Sequence, residues 1–149
     1  MCASVGRVGG PPLRMPIGLQ LAQTAKVVSR AFDDALAAAG GSRPEWLILL
    51  AIKTRQGVSQ RELASVVGIQ GATLTHHLHA MEAAGLVTRA RDPENRRVQY
   101  VELTPAGEDA FMRLREAATK FDKQLRRGLN DQDMAALARS LHELVTNTR

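Results

Sequence analysis

Two short helical patterns separated by a glycine-bearing turn constrain this chain more than anything else in it. Ser59-Gln60-Arg61-Glu62 opens the first, with a hydroxyl at the cap and a glutamate three residues on, the capping-box spacing. Leu63, Ala64 and Val67 then form a short inner face, and Gly68 stops the helix. After Gly68-Ile69-Gln70-Gly71 a second helix is predicted over about 71–84, with Gly85 as its stop and Leu74, Leu78 and Met81 on one side. A helix of about eight residues, a tight turn and a helix of about fourteen is the helix-turn-helix pattern.

The next segment of the chain narrows the fold further. Residues 86–91 and 98–103 read as strands, since Val98, Tyr100 and Glu102 alternate with Gln99, Val101 and Leu103. Between them Asp92-Pro93-Glu94-Asn95-Arg96 is rich in turn formers, so the two strands make a hairpin. A helix-turn-helix running directly into a hairpin is a winged helix. Upstream, Leu21, Ala25, Val28, Phe32, Ala35, Leu36 and Ala39 recur at helical steps over 17–39, and Gly40-Gly41 ends that helix. Ser42, Pro44 and Glu45 start another, whose run from Trp46 to Ile52 is apolar nearly all round and belongs in the core. Downstream, Thr104-Pro105 caps a long helix to about residue 127. Asn130 caps a last one with Met134, Leu137, Ala138, Leu141, Leu144 and Val145 on one face.

The fold class is therefore mainly α (α+β): a winged helix-turn-helix over 42–103, flanked by helices at 17–41 and 104–149. The first, fifth and sixth helices carry apolar faces that so small a winged domain cannot cover. Isolated amphipathic helices are marginal in water, so these are expected to bundle with a second copy as a dimerisation region. Residues 1–16, crowded with Gly and Pro, read as a flexible tail, and Met15 is a candidate translation start.

Composition excludes several classes. A single Cys among 149 residues removes intramolecular disulfides and Cys-based zinc sites, and Cys2 lies in the tail, far in sequence from the helices, which disfavours thiol-based sensing. No apolar run reaches the roughly 18 residues of a membrane span, and no secretory signal opens the chain, so a cytoplasmic, nucleoid-associated location is expected. Five aromatic residues are too few for base-stacking platforms. A net charge of +5 points to an anionic partner, yet the thirds divided after Ile52 and Thr104 carry +2, +2 and +1, so the excess is not segregated. No phosphate loop, nucleophile–base order or paired carboxylate appears, so no enzyme activity and no cofactor are expected.

The residues in this order resemble the MarR family of bacterial transcription regulators. The resemblance runs from about Ile17 to Val145. It rests most on Gly85-Leu86-Val87-Thr88-Arg89, then Asp92-Pro93-Glu94-Asn95-Arg96-Arg97, then Leu103-Thr104-Pro105-Ala106-Gly107, with Ser59-Gln60-Arg61-Glu62-Leu63-Ala64 matching the short helix. It implies a homodimer whose two winged domains read palindromic double-stranded DNA, a repressor relieved by a small-molecule effector bound between the winged domain and the dimer helices. Three positions depart from the family pattern. Asn95 stands where an Asp steadies the wing arginine, so Arg97 is expected to be oriented without charge assistance. His76 stands where Arg is frequent, and Gln70 where a better cap is common.

On a helical wheel Ala72, His76, His79 and Ala83 lie opposite the core face of the second helix, flanked by Thr73, Ala80 and Thr75. Small residues with two imidazoles suit a helix laid in a major groove. His77 sits nearer the core edge and is read as structural. The wing, 89–97, gathers Arg89, Arg91, Arg96 and Arg97 against Asp92 and Glu94. Arg97 is the candidate for minor-groove insertion and Arg96 for a phosphate, whereas Arg89 can instead pair with Asp92 or Glu94 and stiffen the hairpin. The expected DNA-contacting set is thus Ser59, Gln60, Gln70, Thr73, Thr75, His76, His79, Arg89, Arg91, Arg96 and Arg97. Candidate effector-lining residues are Phe32, Arg43, Trp46, Phe111 and Met112, each of which taken singly is better explained as ordinary core packing. Two rival readings stand beside this one. One is a metal-responsive regulator in which His76 and His79 share an ion with Glu82 or Glu94. The other is a winged-helix protein-interaction module that does not bind DNA.

Overall fold

The structure, a computed structural model, describes residues 14–149. The expectations about Cys2 and most of the glycine- and proline-rich stretch fall outside the described residues; Arg14 to Pro16, which fall within them, are exposed. The chain divides after Ala31 into two units. The elements are α1 (Ile17–Ala38), α2 (Arg43–Thr54), α3 (Gln60–Val67), α4 (Gly71–Ala83), β1 (Val87–Arg91), β2 (Gln99–Leu103), α5 (Pro105–Leu125) and α6 (Asp131–Thr146). Within the first unit, up to Ala31, α1 is a regular helix whose Leu21 and Val27 are exposed.

The second unit holds the core. Leu36, Ile48, Leu49, Leu63, Leu74, Leu78 and Leu114 are fully buried, joined by Val58, Val87, Val101, Ala110 and Phe111. All but Val58, which lies between α2 and α3, come from the apolar stripe of their own element, which is how the end of α1, four further helices and a hairpin share one interior. As its composition demands, α2 supplies five buried residues, Trp46, Ile48, Leu49, Ala51 and Ile52.

Local chemistry sets the boundaries. Ser59 accepts from the Glu62 amide while Glu62 accepts from the Ser59 amide, so the predicted box is complete. At α2 the box is half made: Ser42 accepts from the Glu45 amide, but the Glu45 carboxylate does not return the bond. It is partly buried instead, and burial raises its pKa. Gly68 ends α3 in the left-handed conformation (φ 71°) that turns the chain into α4. Gln70 precedes α4 without any side-chain cap. Thr104 caps α5 through the Gly107 amide, and its hydroxyl and amide bind Gly85 O and Leu86 O, fastening the start of α5 to the turn after α4.

The sheet is a two-stranded antiparallel hairpin registered Val87↔Leu103, Arg89↔Val101 and Arg91↔Gln99. Val101 also donates to Val58 O, and Ser59 forms a bridge with Tyr100, so the hairpin is stitched to the residues that open α3. Gly107 makes this junction possible: a Cβ there would sit 2.0 Å from Leu86 O.

Candidate nucleic-acid interface

The exposed side of α4 follows from its buried side. Leu74, Leu78 and Met81 anchor the helix in the core, which leaves Ala72, Thr73, His76, His79, Ala80 and Ala83 exposed. His77 is half-buried, at the core edge. Thr75 is half-buried as well: its hydroxyl donates to Gly71 O and accepts from Gln60 Nε2 at 2.8 Å, tying α3 to α4. The other amide atom, Gln60 Oε1, is buried without a partner. Ser59, Gln60, Thr75, Asn95 and Arg97 line a common cleft of about 600 Å³ between α3, α4 and the wing.

The wing is braced from within. Asp92 accepts from the Glu94 and Asn95 amides through Oδ1 and from the Tyr100 hydroxyl through Oδ2. The Glu94 amide first, and then the Tyr100 hydroxyl, hold its carboxyl below the usual range, and the same carboxylate raises the Tyr100 phenol. Asn95 does not reach the Arg97 side chain. Its Oδ1 accepts the Arg97 backbone amide at 3.2 Å, so it shapes the turn rather than steering the guanidinium. Arg91, Arg96 and Arg97 are exposed, and none forms an ion pair among the described residues.

Arg89 behaves differently. It pairs with neither Asp92 nor Glu94 but folds onto α4, donating from Nε to Glu82 Oε2 at 2.8 Å and approaching His79 Nδ1 at 3.0 Å. Its side chain is only 13% exposed. The sequence held a clue to this strut. Glu82 lies in the last turn of α4, where the helix dipole disfavours a carboxylate, so a cation close in space is to be expected. Tyr100 as the brace of Asp92 carried no such signal, because it depends on the hairpin register. Among the described residues no group of three His, Cys, Asp or Glu side chains is placed to share a metal ion.

The five candidate effector-lining residues do not converge. Trp46 and Phe111 stack on each other at 5.7 Å within the core, and Phe32 packs on Phe121 at 5.2 Å. Arg43 forks onto Asp33, donating from Nε at 2.7 Å, and this pair raises the Arg43 pKa and lowers that of Asp33. Arg43 lines a cleft of about 610 Å³ with Asp34, Leu47 and Ile69, whereas Met112 lines a separate one along α5. No helix among the described residues is long and apolar enough to cross a membrane.

Known proteins share this arrangement. The model of the MarR family matches residues 42–98, the segment from the cap of α2 to the wing. The Bacillus subtilis HTH-type transcriptional regulator YwoH, itself uncharacterised, is 25% identical over 119 residues, covering 80% of this chain and 86% of that protein. Among solved structures, the transcriptional regulator PA3341 is 30% identical with a TM-score of 0.74, covering 89% of this chain and 98% of the other. The transcriptional repressor CouR, solved bound to a 23-mer DNA duplex, is 27% identical with a TM-score of 0.78, covering 90% and 93%. With the winged helix, the flanking helices and these likenesses agreeing along nearly its whole described length, the chain belongs to the MarR family of non-enzymatic, DNA-binding transcriptional regulators.

Proposed function

We propose that the protein is a homodimeric, sequence-specific repressor that binds a palindromic duplex, with α4 in the major groove and the wing at the minor groove. The observation that carries this reading is a recognition-type helix with a small, exposed outer face beside a braced wing that bears three exposed arginines, Arg91, Arg96 and Arg97, none in an ion pair among the described residues. Small side chains at Ala72, Thr73 and Ala80 let the backbone approach base edges, and His76 and His79 supply polar contacts. Ser59, Gln60, Gln70 and Thr75 surround the start of α4, where backbone amides and hydroxyls face phosphates in helix-turn-helix proteins. Arg96 serves a phosphate and Arg97 the minor groove. Repression is supported by the likeness to CouR.

The dimerisation region is assigned to 17–41 and 104–149, and the winged domain to 42–103. Leu125, Leu129, Leu137, Leu141 and Val145 are exposed, and α6 has no buried residue, so these helices present apolar surface that a second protomer covers. A small-molecule effector fits the Arg43 cleft, whose Ile69 belongs to the turn that launches α4. The site of action is the nucleoid.

Selection from randomised duplexes with the purified protein tests the reading. A palindromic consensus is expected, with affinity falling steeply as salt rises, because each neutralised phosphate releases counterions. Weak, sequence-blind binding at low salt sinks it in favour of a protein-interaction module.

A further inference from the structure

The contact between Arg89 and His79 has a chemical direction. A guanidinium has donors and no acceptor, so of the two groups only His79 Nδ1 can accept. Arg89 Nη2 carries two hydrogens. Nε donates to Glu82 Oε2 at 2.8 Å, and Nη2 lies 2.7 Å from the same oxygen while meeting His79 Nδ1 at 3.0 Å. The carboxylate fixes the guanidinium, and the guanidinium fixes the ring. The nitrogen facing Arg89 must keep its lone pair, which leaves the ring proton on Nε2, the edge turned away from Arg89. His79 itself is exposed on the outer side of α4, while the Arg89 side chain beneath it is 13% exposed. His76, on the same side one turn earlier, has no side-chain hydrogen-bonding partner among the described residues, and its ring lies edge-on to that of His77.

We propose that Arg89 is a positioning residue that holds the His79 ring with Nδ1 as acceptor and its proton on Nε2, so that His79 offers the major groove a fixed hydrogen-bond donor. This rests on the DNA-binding reading and deepens it by assigning a specificity role within α4. A fixed donor matches purine N7, the acceptor at the major-groove edge of both adenine and guanine, and opposes the amino group of cytosine. An unfixed imidazole exchanges its tautomer at no steric cost and discriminates less. The wing strand β1 thereby sets what the recognition helix can read.

Two measurements test the proposal, and they fail separately. Long-range proton–nitrogen NMR of the free protein at neutral pH should report a neutral Nε2–H tautomer for His79, and Arg89→Met should convert it to an exchanging mixture. A protonated or Nδ1–H ring in the wild type, or a ring unmoved by Arg89→Met, overturns the proposal without reference to DNA. On the selected operator, replacing single purines by their 7-deaza analogues removes N7 alone. One position per half-site should lose about three- to tenfold in affinity for the wild type and nothing for His79→Ala, whose exposed side chain can be removed without touching the core. Equal losses for both proteins at every position overturn the base-reading role, as does coupling of His79 to methylphosphonate substitutions instead. Failure of the wild type to select any sequence sinks the DNA-binding reading and the specificity role with it, while the NMR result still decides the Arg89–His79 geometry.

Discussion

Replacing Gly107 by alanine puts the junction between wing and dimer helix to a quantitative test. Gly→Ala inside a helix ordinarily stabilises by up to about 1 kcal/mol. Here the sign reverses. The new Cβ would lie 2.0 Å from Leu86 O and 3.0 Å from Leu86 C, where ordinary contact begins at 3.4 Å. The obstacle is backbone, so rotating a side chain does not relieve it. Leu86 O accepts the Thr104 amide, and the neighbouring Gly85 O accepts the Thr104 hydroxyl that caps α5. Moving the carbonyl therefore strains or breaks a hydrogen bond worth about 1 kcal/mol, on top of an overpacking cost of about 1–3 kcal/mol. Less the propensity gain, the net loss is about 2 kcal/mol, which for a chain of this size lowers Tm by about 4–8 °C. Wild type and Gly107→Ala are to be melted at one fixed protomer concentration, because dimerisation couples concentration to stability. Urea unfolding should show a lower midpoint at unchanged slope. A Tm at or above that of the wild type refutes the reasoning.

Five more perturbations have defined outcomes. Gly71→Ala, at a position with nothing within 4 Å of the new Cβ, should change stability by no more than about 0.5 kcal/mol yet weaken operator binding, because only DNA occupies that space; unchanged affinity removes α4 from the groove. Arg96→Ala should weaken all duplexes alike and reduce the log–log salt slope by about 0.9, whereas Arg97→Ala should cost about 1–3 kcal/mol mainly on operators with A·T-rich flanks; identical profiles contradict the division between them. Leu141→Glu adds charge to an exposed apolar position of α6, so light scattering should find a folded monomer, and a stable dimer argues for another interface. Asp92 has a lowered folded-state pKa, so its brace is complete above the unfolded value of about 3.9 and is lost as pH falls through the lower folded value. The Glu94 and Asn95 amide resonances should titrate there in the wild type and not in Asp92→Asn; a midpoint above the unfolded value contradicts the bonding.

The sequence alone determined the elements and their order. Helical periodicity named Leu74, Leu78 and Met81 as the buried side of α4, and by exclusion its outer side, because burial repeats with the helix turn. Caps at Ser59, Thr104 and Asn130 marked helix starts because the orphan amides there need an acceptor from nearby residues. Only the tertiary structure decided which arginines stay free. Arg89 and Arg91 occupy one strand two residues apart and look alike in sequence, yet one lies under α4 against Glu82 and His79 while the other is exposed. Asn95, placed in sequence as a partner of the Arg97 side chain, binds that residue's backbone amide instead, and Tyr100 enters the wing only through the hairpin register. Periodicity and caps are short-range physics, written within a few residues. The choice of partner for a charged side chain depends on which elements the core brings face to face, and no local stretch of sequence contains that.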